Sequence, residues 1–437
     1  MAEWEAWMLE ADQAVHSETG LLERRDGCWT NFEPIAVCEG DVLSWRDQAY
    51  AYQLFFYRPD VVPELLHTYA YQPESNWTTY SAEHSDHSWK RTAHRFAQAG
   101  YFRVTVRGAG KDVPRRLADV ADLVRAADGE APKDAVRPWI REEAGDVCGR
   151  AAKLRRDQDF TAFLLTDTHY AVGCNWPDTL AGLRLCAEQI QPDAVIHLGD
   201  LTDGILALRH TQRFAGRVMD GLKSLGAPLY LCLGNHDANY FRGNKEYLSN
   251  RQCGEFYLNR SETSYYVDWP KHRLRGVFLN SFEPKRSERY GFSRKELLLT
   301  LRALLTLRPG WRILVFSHVP PLAKLHVWSD TIYNGDRMLR MLERFAKWRR
   351  GAVLAWVHGH NHADQVCEDL CFPIIGVGCG KTEDFREHKP EGSTTFPRET
   401  GTRTQELWDV LMVRGGEGLA FVRFGAGSDR WIPVGKG

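Results

Sequence analysis

Five short apolar runs in the second half of the chain, each leading straight into a polar cluster, constrain this sequence most. They are Phe160 to Leu165, Ala194 to Leu198, Pro228 to Leu233, Ile313 to Phe316 and Ala352 to Val357. Near-continuous apolar stretches of this length suit strands buried on both faces. Helical patterns lie between them. Leu180, Leu183, Ala187 and Ile190 share one helical face. Ser293 to Glu296 is a capping box ahead of a leucine-rich helix that Pro309-Gly310 ends. Met338 to Trp348 reads as another helix. Strand–helix alternation predicts a layered α/β domain over 160–437. Segments 264–268 and 274–280 read as an inserted hairpin, and 407–413 and 419–424 as tail strands.

The polar clusters carry ligand chemistry. In order they are Thr166-Asp167-Thr168-His169, Gly199-Asp200-Leu201-Thr202-Asp203-Gly204, Gly234-Asn235-His236-Asp237, Ser317-His318 and His358-Gly359-His360-Asn361-His362. In open α/β sheets, ligands bind beyond the carboxyl ends of the strands, so all five can meet at one edge. Asp-x-His and His-x-His place residues i and i+2 on one side of an extended chain. Glycines before Asp200, Asn235 and His360 permit close backbone approach. A lone Asp or His at a strand end is more often a cap. Five such clusters in series would need five coincidences. Imidazole and carboxylate suit Zn, Fe and Mn alike. Seven ligands exceed what one ion takes and fit two ions sharing a carboxylate.

This order resembles the calcineurin-like metallophosphoesterase family, with its D-x-H, G-D-x-x-D, G-N-H-D/E, lone H and G-H-x-H. The match is Asp167-x-His169, Gly199-Asp200-x-x-Asp203, Gly234-Asn235-His236-Asp237, His318 and Gly359-His360-x-His362. The resemblance implies a four-layer αββα sandwich holding two metal ions (Mn, Fe or Zn). It implies that Asp167, His169 and His362 hold the first ion, that Asn235, His318 and His360 hold the second, and that Asp200 bridges. It further implies attack by a bridging hydroxide, with His236 assisting the leaving group. Asp203 would orient His236, with Asp237 a second candidate. One departure narrows the branch. The family's Ser/Thr protein phosphatases carry Arg after the second Asp and Glu after G-N-H, where this chain has Gly204 and Asp237. That is more like phosphodiesterases and small-molecule phosphatases.

The first 110 residues lie outside the resemblance. Turn signals at Asp26-Gly27 and Glu39-Gly40 separate aromatic and β-branched runs at Ala49 to Tyr57, Leu66 to Tyr71, Asn76 to Tyr80 and Tyr101 to Arg107. These predict an N-terminal all-β sandwich over 1–110. It holds 18 of the 51 aromatics, enough to fill a core or to make a glycan platform. Residues 111–159 contain 22 Asp, Glu, Lys or Arg, and Leu117, Val120, Leu123 and Val124 recur at helical spacing. The stretch reads as a charged helical connector.

Fifty-six basic against fifty-seven acidic residues exclude a strongly basic nucleic-acid grip. Arg155-Arg156 and Arg349-Arg350 are only pairs. No leader pattern or apolar membrane stretch is evident, so cytoplasmic location without a membrane partner is the expectation. The ten cysteines then read as reduced, buried thiols. His197 reads as a core histidine and His358 as a support for the ligands. His326 and Trp328 are candidates for the pocket wall. Residues 381–405 read as a substrate-facing lid with Arg386, His388 and Lys389, and Arg430 as a phosphate contact or a salt-bridge partner.

The leading reading is a dinuclear metal-dependent hydrolase of small phosphate esters, diesters slightly before monoesters. Two alternatives use the same residues. One is a nuclease. The other is a non-catalytic protein on the same fold, against which the complete ligand set and His236 argue. The N-terminal sandwich is a candidate module for a glycan or protein partner.

Overall fold

The structure is a computed structural model. It describes residues 8–16, 22–46, 50–57, 93–107, 114–126, 136–170, 176–204, 208–240, 244, 246–382, 389–399 and 401–434. The chain divides into two units, Met1–Ala135 and Val136–Gly437.

The described residues of the first unit are β-rich. Strands β1 (Leu9–Val15), β2 (Leu22–Asn31), β3 (Ile35–Val37), β5 (Ala51–Tyr57) and β7 (Gly100–Arg107) form one antiparallel sheet. Strands β4 (Val42–Trp45), β6 (Ala93–Arg95) and β8 (Ala121–Val124) form a second. Trp45, Tyr52, Phe56, Phe96 and Phe102 belong to their shared core, and the rings of Trp45 and Tyr52 stack at 4.1 Å. These aromatics fill a sandwich interior, each stabilising it by roughly 1.5–3 kcal/mol. The expected strands at 66–71 and 76–80 lie outside the described residues.

Residues 111–159 are not one helical stretch. Leu117–Asp119 is a single 3-10 turn, and β8 follows, pairing with β4. Leu117, Val120 and Leu123 are all buried in the first unit's core. Their spacing, which imitates a helix, comes from a turn followed by a strand. The helix α1 (Pro138–Leu154) opens with proline at its first position, where the missing N–H costs nothing. It buries Ile140, Ala144, Val147 and Ala151, the i, i+4 rhythm of one face.

The second unit holds two six-stranded sheets. In the first, β9 (Phe160–Leu165), β10 (Ala194–His197) and β11 (Leu229–Leu231) run parallel, and β18 (Leu407–Arg414), β19 (Gly418–Gly425) and β20 (Arg430–Pro433) continue antiparallel. In the second, β13 (Leu274–Leu279), β14 (Arg312–Ser317), β15 (Val353–His358) and β17 (Ile374–Gly376) run parallel. Strands β12 (Tyr265–Trp269) and β16 (Gln365–Cys367) close its edges. Phe160, Leu164, Ile196, Phe278, Phe316 and Phe421 pack between the sheets.

Helices cover the outer faces. On the second sheet, α5 (Arg294–Leu305) and α6 (Gly335–Trp348) press Leu304, Met338 and Leu342 against Val277, Val315 and Trp356. On the first, α2 (Trp176–Ile190) presents Gly182 so closely to the Phe424 ring that an added Cβ would lie 2.9 Å away. Helices α3 (Leu208–Lys223) and α4 (Asn250–Leu258) complete the described set. The order is helix, sheet, sheet, helix, as expected. Strands β12 and β13 pair antiparallel as the expected hairpin, and β13 is also a full member of the second sheet, because it pairs with β14 along its whole length.

Candidate metal centre

All five polar clusters follow the carboxyl ends of parallel strands, and the chain there is bent into an uncommon conformation. Asp167, His169, Asp200, His360 and His362 have φ between 46° and 68°. Non-glycine residues avoid this left-handed region, at a cost of about 1 kcal/mol or more each. Five such residues in one place show that the fold over-determines their direction. Glycines make room: a Cβ at Gly234 would collide with the Asp200 carboxylate, and one at Gly359 with the Thr166 hydroxyl.

The ligand atoms converge. Asp167 Oδ1 lies 3.2 Å from His362 Nε2 and 3.7 Å from His169 Nε2. Asp200 Oδ2 lies 3.0 Å from His318 Nε2 and 3.8 Å from His169 Nε2. His360 Nδ1 is 3.1 Å from His318 Nε2. Asp167, His169 and His362 thus form one group and Asp200, His318 and His360 another, with Asp200 also grouped with His169 and His236. Separations of 3.0–3.8 Å are those of donors held about 2.0–2.2 Å from a common ion. Asn235 Oδ1 is buried without a hydrogen-bond partner, an acceptor waiting for a cation.

The surrounding hydrogen bonds aim these atoms. His318 Nδ1–H donates to Leu198 O, which leaves Nε2 as the free lone pair facing Asp200. His169 Nδ1 stands 3.1 Å from Asp203 Oδ1, so its Nε2 faces the cluster likewise. Asp167 Oδ2 accepts from Thr166 Oγ1 and from His360 N–H, which turns Oδ1 inward. Asp200 Oδ1 accepts from His236 N–H, which turns Oδ2 inward. Burial alone would discharge these groups, yet the nearby imidazoles hold the Asp200 carboxyl down at about 2. Burial opposes charge on His169, but the carboxylates of Asp167, Asp203 and Asp200 outweigh it and raise that imidazole to about 9. The pocket therefore attracts positive charge, and the residues present fit two cations.

His236 is partly exposed, beside the cluster, with Nε2 3.8 Å from Asp200 Oδ2. Its Nδ1–H donates to the backbone carbonyl of Asp203. Asp203 therefore has two jobs that its sequence position did not separate: its carbonyl orients His236 and its carboxylate orients His169. Asp237 does not face His236. Its carboxylate accepts three N–H groups, from Asp200, Leu201 and Gly234, each at 2.8 Å. It clamps two ligand loops together.

The remaining candidate residues take definite places. His197 accepts from Gly199 N–H at Nδ1 and donates through Nε2 to Thr168 Oγ1, and burial lowers it to about 3. It is a neutral core histidine tying two ligand turns. His358 Nδ1–H donates to Gly359 O. His326 Nε2 lies 3.0 Å from His360 Nε2, and the exposed Trp328 ring stands 4.8 Å from the His360 ring, so both flank the second group. Tyr290, which the motifs did not single out, lies 5.2 Å from the His360 ring. Lys389 donates to Asn361 O. Arg386 and His388 lie outside the described residues. Arg430 pairs with Asp364 at 3.3 Å and Asp409 at 3.4 Å, so its salt-bridge reading describes its place.

Comparison with known proteins points the same way. The calcineurin-like phosphoesterase model matches residues 160–364, which bears out the resemblance and with it the expectation of a phosphate-ester hydrolase. No curated protein sequence matches the chain. A dimetal phosphatase from Danio rerio is 19% identical, with TM-score 0.46, covering 63% of this chain and 99% of that one. Purple acid phosphatase PPD1 from yellow lupin (Lupinus luteus) seeds is 11% identical, with TM-score 0.44, covering 94% and 72%. At such identities no substrate passes from these proteins to this one. No helix among the described residues is long and apolar enough to cross a membrane.

Proposed function

We propose that this chain hydrolyses phosphate esters at a dinuclear metal centre, preferring small diesters to monoesters. The observation that carries the reading is the convergence of six carboxylate and imidazole ligands from four strand ends in two groups around Asp167 and Asp200, with the unpartnered Asn235 Oδ1 beside them. Asp167, His169 and His362 would hold one cation, Asn235, His318 and His360 the other, and Asp200 both. Two cations so held supply Lewis acidity and an acidified water near neutral pH.

The protein's own part is orientation and proton delivery. A carbonyl only accepts, so His236 Nδ1 carries its proton toward Asp203 O. In the imidazolium form, Nε2–H is the donor that remains, and it delivers a proton to the departing alkoxide oxygen. A positioned acid of this kind contributes roughly 10²–10⁴-fold. Asp237 keeps the loops of Asp200 and Asn235 in register while this happens.

The preference for diesters rests on Gly204. It has φ of +62°, and a Cβ there would strike the His236 carbonyl. No arginine fits that position, so the second negative charge of a monoester lacks the guanidinium partner that would favour it. Turnover of bis- and mono-p-nitrophenyl phosphate by metal-reconstituted protein tests both parts. The diester should have the higher kcat/KM, and Asp200→Ala and His236→Ala should each remove most activity. Activity untouched by both substitutions would sink the assignment. A monoester preference would sink the diester clause alone.

A further inference from the structure

We infer that the C-terminal ends of α5 and α6 form a docking platform for an anionic lipid surface. Eleven large apolar side chains are exposed among the described residues, and four of them lie on this helix pair. Leu298, Leu301 and Leu305 are 55%, 40% and 70% exposed, and Trp348 is 73% exposed. Leu305 and Trp348 are the two most exposed of the eleven. Leu298, Leu301 and Leu305 follow i, i+3, i+7, one stripe of a helix. A groove of about 470 Å³ runs between Leu301 and Leu305 of this stripe and Met341, Phe345 and Trp348 of α6, with Arg337, Arg340 and Arg344 on its wall. A contiguous apolar patch of this kind marks an interaction site.

Charge selects the occupant. Residues 301–312 and 340–351 hold eight Lys or Arg against Glu343 alone, in a chain whose net charge is −1. Arg302, Arg344, Lys347 and Arg350 are exposed around the apolar tip. Like charge opposes a second copy on this face. Projecting Leu and Trp side chains ringed by cations match the interface of an anionic bilayer, where the rings lie at headgroup level. The platform is preformed, since Arg349 donates to Leu307 O and Arg308 O, tying the two helix ends. Both helices run against strands β13 to β15. Their C-termini therefore lie at the sheet end opposite the metal ligands, and docking leaves the metal centre open.

Sedimentation of the full chain with phosphatidylcholine vesicles, with and without phosphatidylglycerol, tests this. Binding should need phosphatidylglycerol and weaken with salt. Arg344→Glu/Lys347→Glu should reduce it at least about tenfold, and Leu305→Ser/Trp348→Ala comparably. Both double variants alter exposed positions remote from the metal ligands, so diester turnover in solution should stay at the wild-type rate. Equal binding to both vesicle types, or no binding to either, would overturn the proposal. So would light scattering that shows a dimer abolished by the Leu305/Trp348 variant, because a second copy would then own the patch.

Discussion

Asp203 separates what spacing can reveal from what it cannot. The G-D-x-x-D pattern places its side chain near the ligand cluster, but only the structure shows that its carboxylate lies 3.1 Å from His169 Nδ1 while its carbonyl accepts from His236 Nδ1–H. Asp203→Ala keeps the carbonyl and removes the carboxylate. Metal affinity should therefore fall roughly 10–100-fold, the usual cost of losing a partner behind a ligand. Turnover at saturating metal should largely recover, because His236 stays oriented. Metal titration followed by activity measurement checks both halves. Unchanged affinity with lost turnover would instead give the carboxylate a direct chemical role. The same limit explains Asp237. Sequence adjacency to His236 made it a candidate to orient that ring, whereas the tight turn sends its carboxylate back to three backbone N–H groups.

At the scale of elements, long apolar runs were legible and short ones were not. Four of the five strands were read to within a residue at each end because both faces are apolar, while β11, read as six residues, is a half-buried strand of three. Strand β20 was missed because only Trp431 and Ile432 mark it, and β16 and β17 are three residues each. Yet β20 brings Arg430 to a buried ionic lock that no motif announces. Arg423 on β19 is 1% exposed and pairs with Asp409 and Asp364, each at 2.8 Å. The lock joins the first sheet to the segment that follows His362. Arg423→Ala would strand two buried carboxylates with only Arg430, and should destabilise the unit by about 3–5 kcal/mol in urea unfolding. A fall under about 1 kcal/mol would mean that water reaches the lock.

Another element-scale consequence is a pH dependence. Burial raises the Glu406 carboxyl from 4.5 to about 7, although Gln405 and Thr179 donate to it. The folded chain thus keeps a proton that the unfolded chain has released. Stability falls as pH rises from about 4.5 to about 7 and is constant above that, with a full cost of about 3 kcal/mol. Glu406→Gln stays neutral throughout. The Tm of wild type relative to this variant should therefore drop between pH 5 and pH 8, and parallel Tm curves would exclude the assignment.

For the molecule as a whole, the ordered motif set announced the catalytic unit, while its partner unit was legible only as a β-sandwich. Strand patterning identifies a packed core, and nothing in that patterning says what its surface meets. The division also makes a thermodynamic prediction. Five ligand residues hold left-handed backbone, and Asp167 and Asp200 are fully buried carboxylates. Without cations the second unit carries that backbone strain uncompensated. Metal binds the folded unit and not the unfolded chain, so it should stabilise that unit by about 2.7 kcal/mol at a hundred times its Kd. The first unit has its own core, and none of its described residues takes part in the ligand set. Calorimetry of the full chain should therefore show two transitions. Chelation should lower the one assigned to Val136–Gly437 and leave the other in place. His318→Ala, which removes a ligand on the second unit, should abolish the metal-dependent shift without moving the first unit's transition. A shift of both transitions together would mean that the units unfold as one.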